Sequence, residues 1–211
     1  MIDKLHYISQ ADDAGDHLPA IEKALRAGCK WIQLRVKDQP SAAILRQAVS
    51  AKALCEAFDA RLIINDHAEI AAAVAAYGLH LGLNDMPIPE ARALLGSKYI
   101  IGGTANTIEH ILQRIDEGAD YVGLGPFRFT TTKKNLSPIL GIEGFQQIVE
   151  QLRERHIDIP LIAIGGLTIN DVPLLMKAGL YGIAVSGAIT NAADPLYTVT
   201  GINKELYDVV N

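Results

Sequence analysis

The 211-residue chain, 49% hydrophobic and 20% charged, can bury a full core and reads as one domain over residues 1–211, with no linker or low-complexity tract dividing it. A net charge of −5 argues against nucleic acid as a partner, so any phosphate it binds belongs to a small molecule in a locally basic pocket. Cys29 and Cys55 are too few and too scattered for a disulfide framework or a zinc knuckle, MIDKLHYISQADD is acidic where a signal peptide needs an apolar core, and no run has the length of a membrane span; a soluble, cytoplasmic protein with no membrane partner is expected, and a homo-oligomer is compatible with the composition.

Short β-rich runs alternate with helical patterns along the whole chain. Strands are expected at 5–9, 30–35, 61–65, 79–82, 99–102, 121–125, 160–165 and 181–186. Ile44, Ala48, Ala51, Cys55 and Phe58 make one apolar stripe on a helix over 41–59. Gly28, Gly78, Gly118 and Gly179 each stand just before a strand and fit a helix C-terminus followed by a turn. About eight β-α units predict an α/β fold, a parallel sheet closed as a (β/α)8 TIM barrel; an open doubly wound sheet is the rival and needs fewer strands.

In a barrel the chemistry belongs at the C-terminal strand ends. On strand two, alternation turns Ile32, Leu34 and Val36 toward the helices and Trp31, Gln33, Arg35 and Lys37 toward the axis and its mouth. Cations aimed inward require an anion, either a ligand or a carboxylate such as Asp38. Strand three ends in Asn65-Asp66, where Asp66 with Glu69 also reads as a capping pattern for a helix over 67–77; strand four ends in a loop carrying Asp85. Two aspartates on neighbouring strand ends, without a Cys or His cluster, suit Mg2+, which also binds phosphate oxygens. His80 reads as a hydrogen-bonded core histidine. After strand five, Asn106 with Glu109 reads as a cap and Thr104 as the better ligand contact.

The run GADYVGLGPFRFTTTKK (118–134) organises the rest: an apolar strand empties into a loop with Arg128, Thr130, Thr131, Thr132, Lys133 and Lys134, hydroxyls and cations suited to a phosphate or diphosphate. Gly165-Gly166 after strand seven and Ser186-Gly187 after strand eight, each before a short helical start, offer bare backbone N–H groups to an anion. Two anion sites then share one rim, one cationic and metal-assisted from Arg35, Lys37, Lys133 and the aspartates, the other from these amides and the Thr130 and Thr132 hydroxyls, which suggests two phosphorylated substrates and a transfer between them that releases diphosphate.

These segments resemble the thiamine phosphate synthase family: WIQLRVKD (31–38), LIINDH (62–67), GLHLGLND (78–85), IIGGTANT (100–107), GADYVGLGPFRFTTTKK (118–134), IAIGGL (162–167) and VSGAI (185–189). The resemblance implies a Mg2+-dependent transferase that joins 4-amino-2-methyl-5-hydroxymethylpyrimidine diphosphate to 4-methyl-5-(2-phosphoethyl)thiazole and releases pyrophosphate. By position it implies that Gln33, Leu34, Arg35, Val36, Lys37, Asn65, Thr104 and Lys133 hold the pyrimidine diphosphate, with Arg35, Lys37 and Lys133 catalytic and Asp66 and Asp85 on the metal. Thr130, Thr131, Thr132, Gly166, Ser186 and Gly187 would hold the thiazole phosphate. It implies a dissociative mechanism, in which the diphosphate leaves before the thiazole nitrogen attacks. The chain departs from the family's common pattern at His67 (often Arg), Thr104 (often Ser), Asn106 (often His), Phe129 (often Pro) and Ser186-Gly187 (often an aliphatic residue then Ser). The rivals are a thiazole tautomerase of the same barrel, expected to use a histidine where Asn106 stands, and a non-catalytic barrel that senses a phosphorylated metabolite.

Overall fold

A computed structural model describes residues 1–129 and 138–207. Parallel strands β1 (Leu5–Ile8), β2 (Trp31–Leu34), β3 (Arg61–Asn65), β4 (Gly78–Leu81), β5 (Ile100–Ala105), β6 (Tyr121–Leu124), β7 (Leu161–Ile164) and β8 (Gly182–Val185) pair in sequence order, and β8 returns to β1, closing the barrel. Between and after them run α1 (Leu18–Arg26), α2 (Ser41–Ala57), α3 (Ala68–Ala73), α4 (Ile88–Leu95), α5 (Ile108–Asp116), α6 (Gly141–Glu154), α7 (Val172–Ala178), α8 (Gly187–Thr190) and α9 (Pro195–Tyr207). The open sheet is thereby replaced by the expected closed one.

Period-two alternation sorts each strand into two layers. Ile32, Leu34, Val36, Leu62 and Ile64 face the helices, where Ile44, Ala48, Ala51 and Cys55 of α2 also pack. Ile8, Trp31, Ile63, Tyr121, Ile162 and Ala184 fill the barrel axis. Each large aliphatic or aromatic side chain removed from water this way contributes about 1.5–3 kcal/mol before entropy is counted. The axis packs rings against bare backbone: a Cβ at Gly102 would lie 2.1 Å from the Tyr121 ring. His6 stacks on Trp31 at 4.6 Å and donates from Nε2 to Asp3 O at 2.8 Å. Complete burial pushes its pKa down to about 3, so the ring is neutral.

The glycine expectation holds in part. Gly28, Gly118 and Gly179 have φ of 102°, 84° and 96°, the left-handed turn that ends a helix. Gly78 does not: it opens β4, and Ala75 (φ 47°) takes the left-handed position after α3. Gly78 is glycine because a Cβ there would fall 2.2 Å from Ile100 O. Strand five runs on to Ala105, so Gly102, Gly103 and Thr104 are strand residues rather than loop. Cys29 and Cys55 are buried free thiols, and desolvation pushes both up to about 12. Among the described residues no helix is long and apolar enough to cross a membrane.

Candidate active site

The C-terminal strand ends surround a cavity of about 500 Å³. From β2, Gln33, Arg35 and Lys37 line it, while Leu34 and Val36, each 1% exposed, turn their side chains into the helix-facing core. Strand alternation therefore leaves those two only their backbone to offer a ligand. Ser9 Oγ accepts from Arg35 N–H at 3.1 Å and is itself bonded to buried His17 Nδ1 at 2.7 Å, which fixes the chain just past β2. Among the described residues the half-buried Arg35 guanidinium has no ion-pair partner, whereas Lys37 pairs with Asp66. The carboxylate reading of the inward cations thus holds for Lys37 alone, with Asp66 in place of Asp38.

Asp66 does not cap α3; the N-cap position is His67, without a side-chain bond, and Asp66 sits in the left-handed region at φ 68°. Its carboxylate meets Lys37 and Asp85 instead. Burial, then the bond shared with Asp85, raises the Asp66 pKa, with Lys37 opposing. Burial acts the same way on Asp85 but is outweighed by the bonds from Asp66 and from Gly82 N–H and by the Lys37 charge, so Asp85 lies low. Each carboxylate thus sets the other's proton affinity, pushing Asp66 up and Asp85 down. Two carboxylates held this close are a fitting place for a divalent ion. Among the described residues no cluster of three or more His, Cys, Asp or Glu forms, so these two would give Mg2+ part of its shell and phosphate oxygens the rest. Beside them, Asn65 is 6% exposed, and its Nδ2 has no partner among the described residues.

On β5, Thr104 lines the cavity and its Oγ1 lies 3.1 Å from His80 Nε2. His80 Nδ1 lies 3.1 Å from Tyr121 Oη, the hydrogen-bonded core histidine expected. Asn106 is not a cap either: Thr107 caps α5, accepting from His110 N–H, and Asn106 Nδ2 donates to Gly125 O. Behind this wall stands a residue that motif reading passed over. Arg114 of α5, 3% exposed, donates to Thr104 O at 3.2 Å and Gly82 O at 2.9 Å and pairs with Glu117 at 2.6 Å. It thereby ties the strand end bearing Thr104 to the turn that holds Asp85. Its trace in the sequence is a charged residue three positions after Ile111 on the buried face of α5, opposite Gly103, where a Cβ would meet Arg114 Cδ at 2.6 Å.

Gly166, Ser186 and Gly187 complete the far wall. Gly165 and Gly166 have φ of 106° and 67°, and a Cβ at Gly166 would meet Arg128 Cγ at 2.5 Å, so this turn needs glycine twice over. Ser186 Oγ donates to Ile8 O at 2.7 Å, leaving backbone as the polar surface of that turn. Arg128, expected to face an anion, is engaged elsewhere: it forks onto Asp171 at 2.6 and 2.8 Å and reaches Gly166 O at 2.9 Å. Desolvation notwithstanding, that bond and those from Thr168 hold the Asp171 carboxyl below its usual range. Thr130, Thr131, Thr132, Lys133 and Lys134 lie outside the described residues.

Residues 5–189 match the family model for thiamine monophosphate synthase. The thiamine-phosphate synthase of Flavobacterium psychrophilum is 49% identical over 206 residues, covering 98% of this chain and 100% of its own. That of Bacteroides thetaiotaomicron is 49% identical over 191 residues, 90% of this chain and 91% of its own. Among solved structures, thiamine phosphate pyrophosphorylase from Pyrococcus furiosus superposes with a TM-score of 0.83 at 30% identity, covering 99% of this chain and 97% of that one. A 3-hexulose-6-phosphate synthase, at 16% identity and a TM-score of 0.67, shares the fold alone. With matches that run nearly from end to end on a closed barrel of this kind, the chain belongs to the thiamine monophosphate synthase family.

Proposed function

We propose that the chain joins 4-amino-2-methyl-5-hydroxymethylpyrimidine diphosphate to 4-methyl-5-(2-phosphoethyl)thiazole, giving thiamine phosphate and pyrophosphate. The observation that carries this reading is that Arg35, without an ion-pair partner among the described residues, the Asp66 and Asp85 carboxylates, Thr104 and the two glycine turns all open on one cavity. A diphosphate needs cations and donors on one side, and a second phosphate needs bare backbone N–H groups on another. The pyrimidine's C–O bond breaks with its electron pair going to the diphosphate, and the thiazole nitrogen's lone pair then forms the C–N bond. Such chemistry needs no protein nucleophile; it needs the departing charge met in a preorganised site. Arg35, Lys37 and Lys133 meet that charge, Gln33, Asn65 and Thr104 orient the pyrimidine diphosphate, and the backbone past Leu34 and Val36 follows it. Gly166, Ser186, Gly187 and the run Thr130, Thr131, Thr132 hold the thiazole phosphate. Asp66 and Asp85 would hold Mg2+, which when bound neutralises diphosphate oxygens. Asn106, an amide spent on Gly125 O, suits this reading better than the isomerase, which would use a histidine there. A cytoplasmic enzyme with small phosphorylated partners, and none of nucleic acid, accords with the net charge of −5.

The test is incubation of the purified protein with both substrates and Mg2+. Thiamine phosphate and pyrophosphate are expected in equal amounts, and Asp85→Asn is expected to raise the Mg2+ needed for half-maximal rate at least ~10-fold. Conversion of a thiazole carboxylate tautomer without any thiamine phosphate would install the isomerase, and tight binding of both substrates without turnover the sensor.

A further inference from the structure

A hydrogen-bonded chain leads from the sealed core to Thr104 on the cavity wall, and the proposed reaction gives its inner members, His80 and Tyr121, no task. Tyr121, 1% exposed and absent from the cavity lining, bonds His80, which bonds Thr104; the last two face the cavity. Burial raises the phenol's pKa, so Tyr121 keeps its proton, and among the described residues His80 Nδ1 is its partner. The phenol therefore donates to Nδ1. With Nδ1 accepting, the ring hydrogen lies on Nε2, which donates it to Thr104 Oγ1. The threonine hydroxyl, already accepting, has its own proton left for the cavity.

We propose that His80 and Tyr121 are positioning residues that present the Thr104 hydroxyl as a hydrogen-bond donor to a diphosphate oxygen of the substrate. This rests on the placement of the pyrimidine diphosphate beside Thr104 given above. Ionised diphosphate oxygens accept and do not donate, so a hydroxyl whose proton were drawn back to His80 would meet them lone pair to lone pair. The barrel holds the chain still. The two rings stack at 5.6 Å with 30° between planes, Gly102 leaves the space Tyr121 occupies, and Gly123, where a Cβ would lie 3.2 Å from His80 Cε1, leaves the face of the imidazole clear.

Tyr121→Phe tests this, because Tyr121 cannot touch substrate and acts only through His80. Nitrogen-15 NMR of the unliganded parent at neutral pH should show His80 with unprotonated Nδ1 and protonated Nε2. Tyr121→Phe should lose that tautomer preference and about tenfold in kcat with little change in KM for the thiazole phosphate. In a Thr104→Val background, the same Tyr121→Phe change should cost nothing further, and Thr104→Ser should restore the tenfold sensitivity. A parent tautomer with Nδ1–H, or an undiminished loss in the Thr104→Val background, would overturn the proposal. Full activity in Thr104→Val with the Nε2–H tautomer intact would overturn the placement of the diphosphate instead, leaving the hydrogen-bond direction standing.

Discussion

His6 shows how far one buried side chain governs the response to acid. Its folded pKa lies near 3 against an ordinary 6.5, because burial excludes the charged form. The unfolded chain therefore binds a proton below pH 6.5 that the folded chain refuses, so stability from this group is complete above that value and falls as pH drops toward 3. The slope is about 1.4 kcal/mol per pH unit, or ~3 kcal/mol by pH 4.5. His6→Gln keeps a donor for Asp3 O but loses the stacking on Trp31. Urea unfolding should find it weaker than the parent at neutral pH, with a gap that closes on acidification. A gap constant between pH 7 and pH 4.5 would mean that His6 is not excluded from protonation. None of this was legible in the sequence, where LHYI gives a histidine on an inward position but not the absence of water around it.

Between elements, the β4–β5 side of the cavity wall is tied together by the Arg114 guanidinium. Arg114 spans α5, the end of β5 and the turn after β4, and its removal takes a buried donor from Glu117, Thr104 O and Gly82 O. Arg114→Met should cost about 3 kcal/mol in urea unfolding. Arg114→Lys should fall between, since an ammonium restores charge but not the fork. Turnover should drop in both, because Thr104 and Asp85 lose their common anchor. A stability within ~0.5 kcal/mol of the parent for Arg114→Met would show that water replaces these bonds. At this scale the sequence was informative wherever period alone decides the outcome: β2's alternation placed Arg35 and Trp31 correctly, and the α2 stripe packed as its spacing requires. It misled where one residue type serves two purposes. Asp66 and Asn106 carry the spacing of helix caps, yet their partners, Lys37 and Gly125, lie just past the ends of neighbouring strands, and only the closed barrel brings those partners near. Arg128 is the same case in reverse, an arginine in a Thr- and Lys-rich run whose countercharge, Asp171, stands far along the chain.

For the whole barrel, the glycines fall into kinds with different tolerances. Gly118 is needed for its backbone alone: φ is 84° and a Cβ there would meet nothing within 4 Å. Gly102 has ordinary dihedrals and no room, with the Tyr121 ring at 2.1 Å and that ring hemmed in by His6, Trp31 and His80. Gly118→Ala should therefore cost about 1 kcal/mol, and Gly102→Ala upwards of ~3 kcal/mol with loss of the near-ultraviolet aromatic signal. Equal costs would mean that the axis can yield where its packing says it cannot. The eight-fold architecture was readable because each unit repeats the same pattern; which glycine answers to conformation and which to volume was not, since both are written with one letter. The neighbourhood of Gly102 and Tyr121 also limits how this enzyme can diverge. Bulk could be traded across the two strands, a larger residue at one position offset by a smaller one at the other, and the fold would survive the exchange. The phenol proton would not survive it, so drift that the barrel tolerates is drift the reaction would notice first.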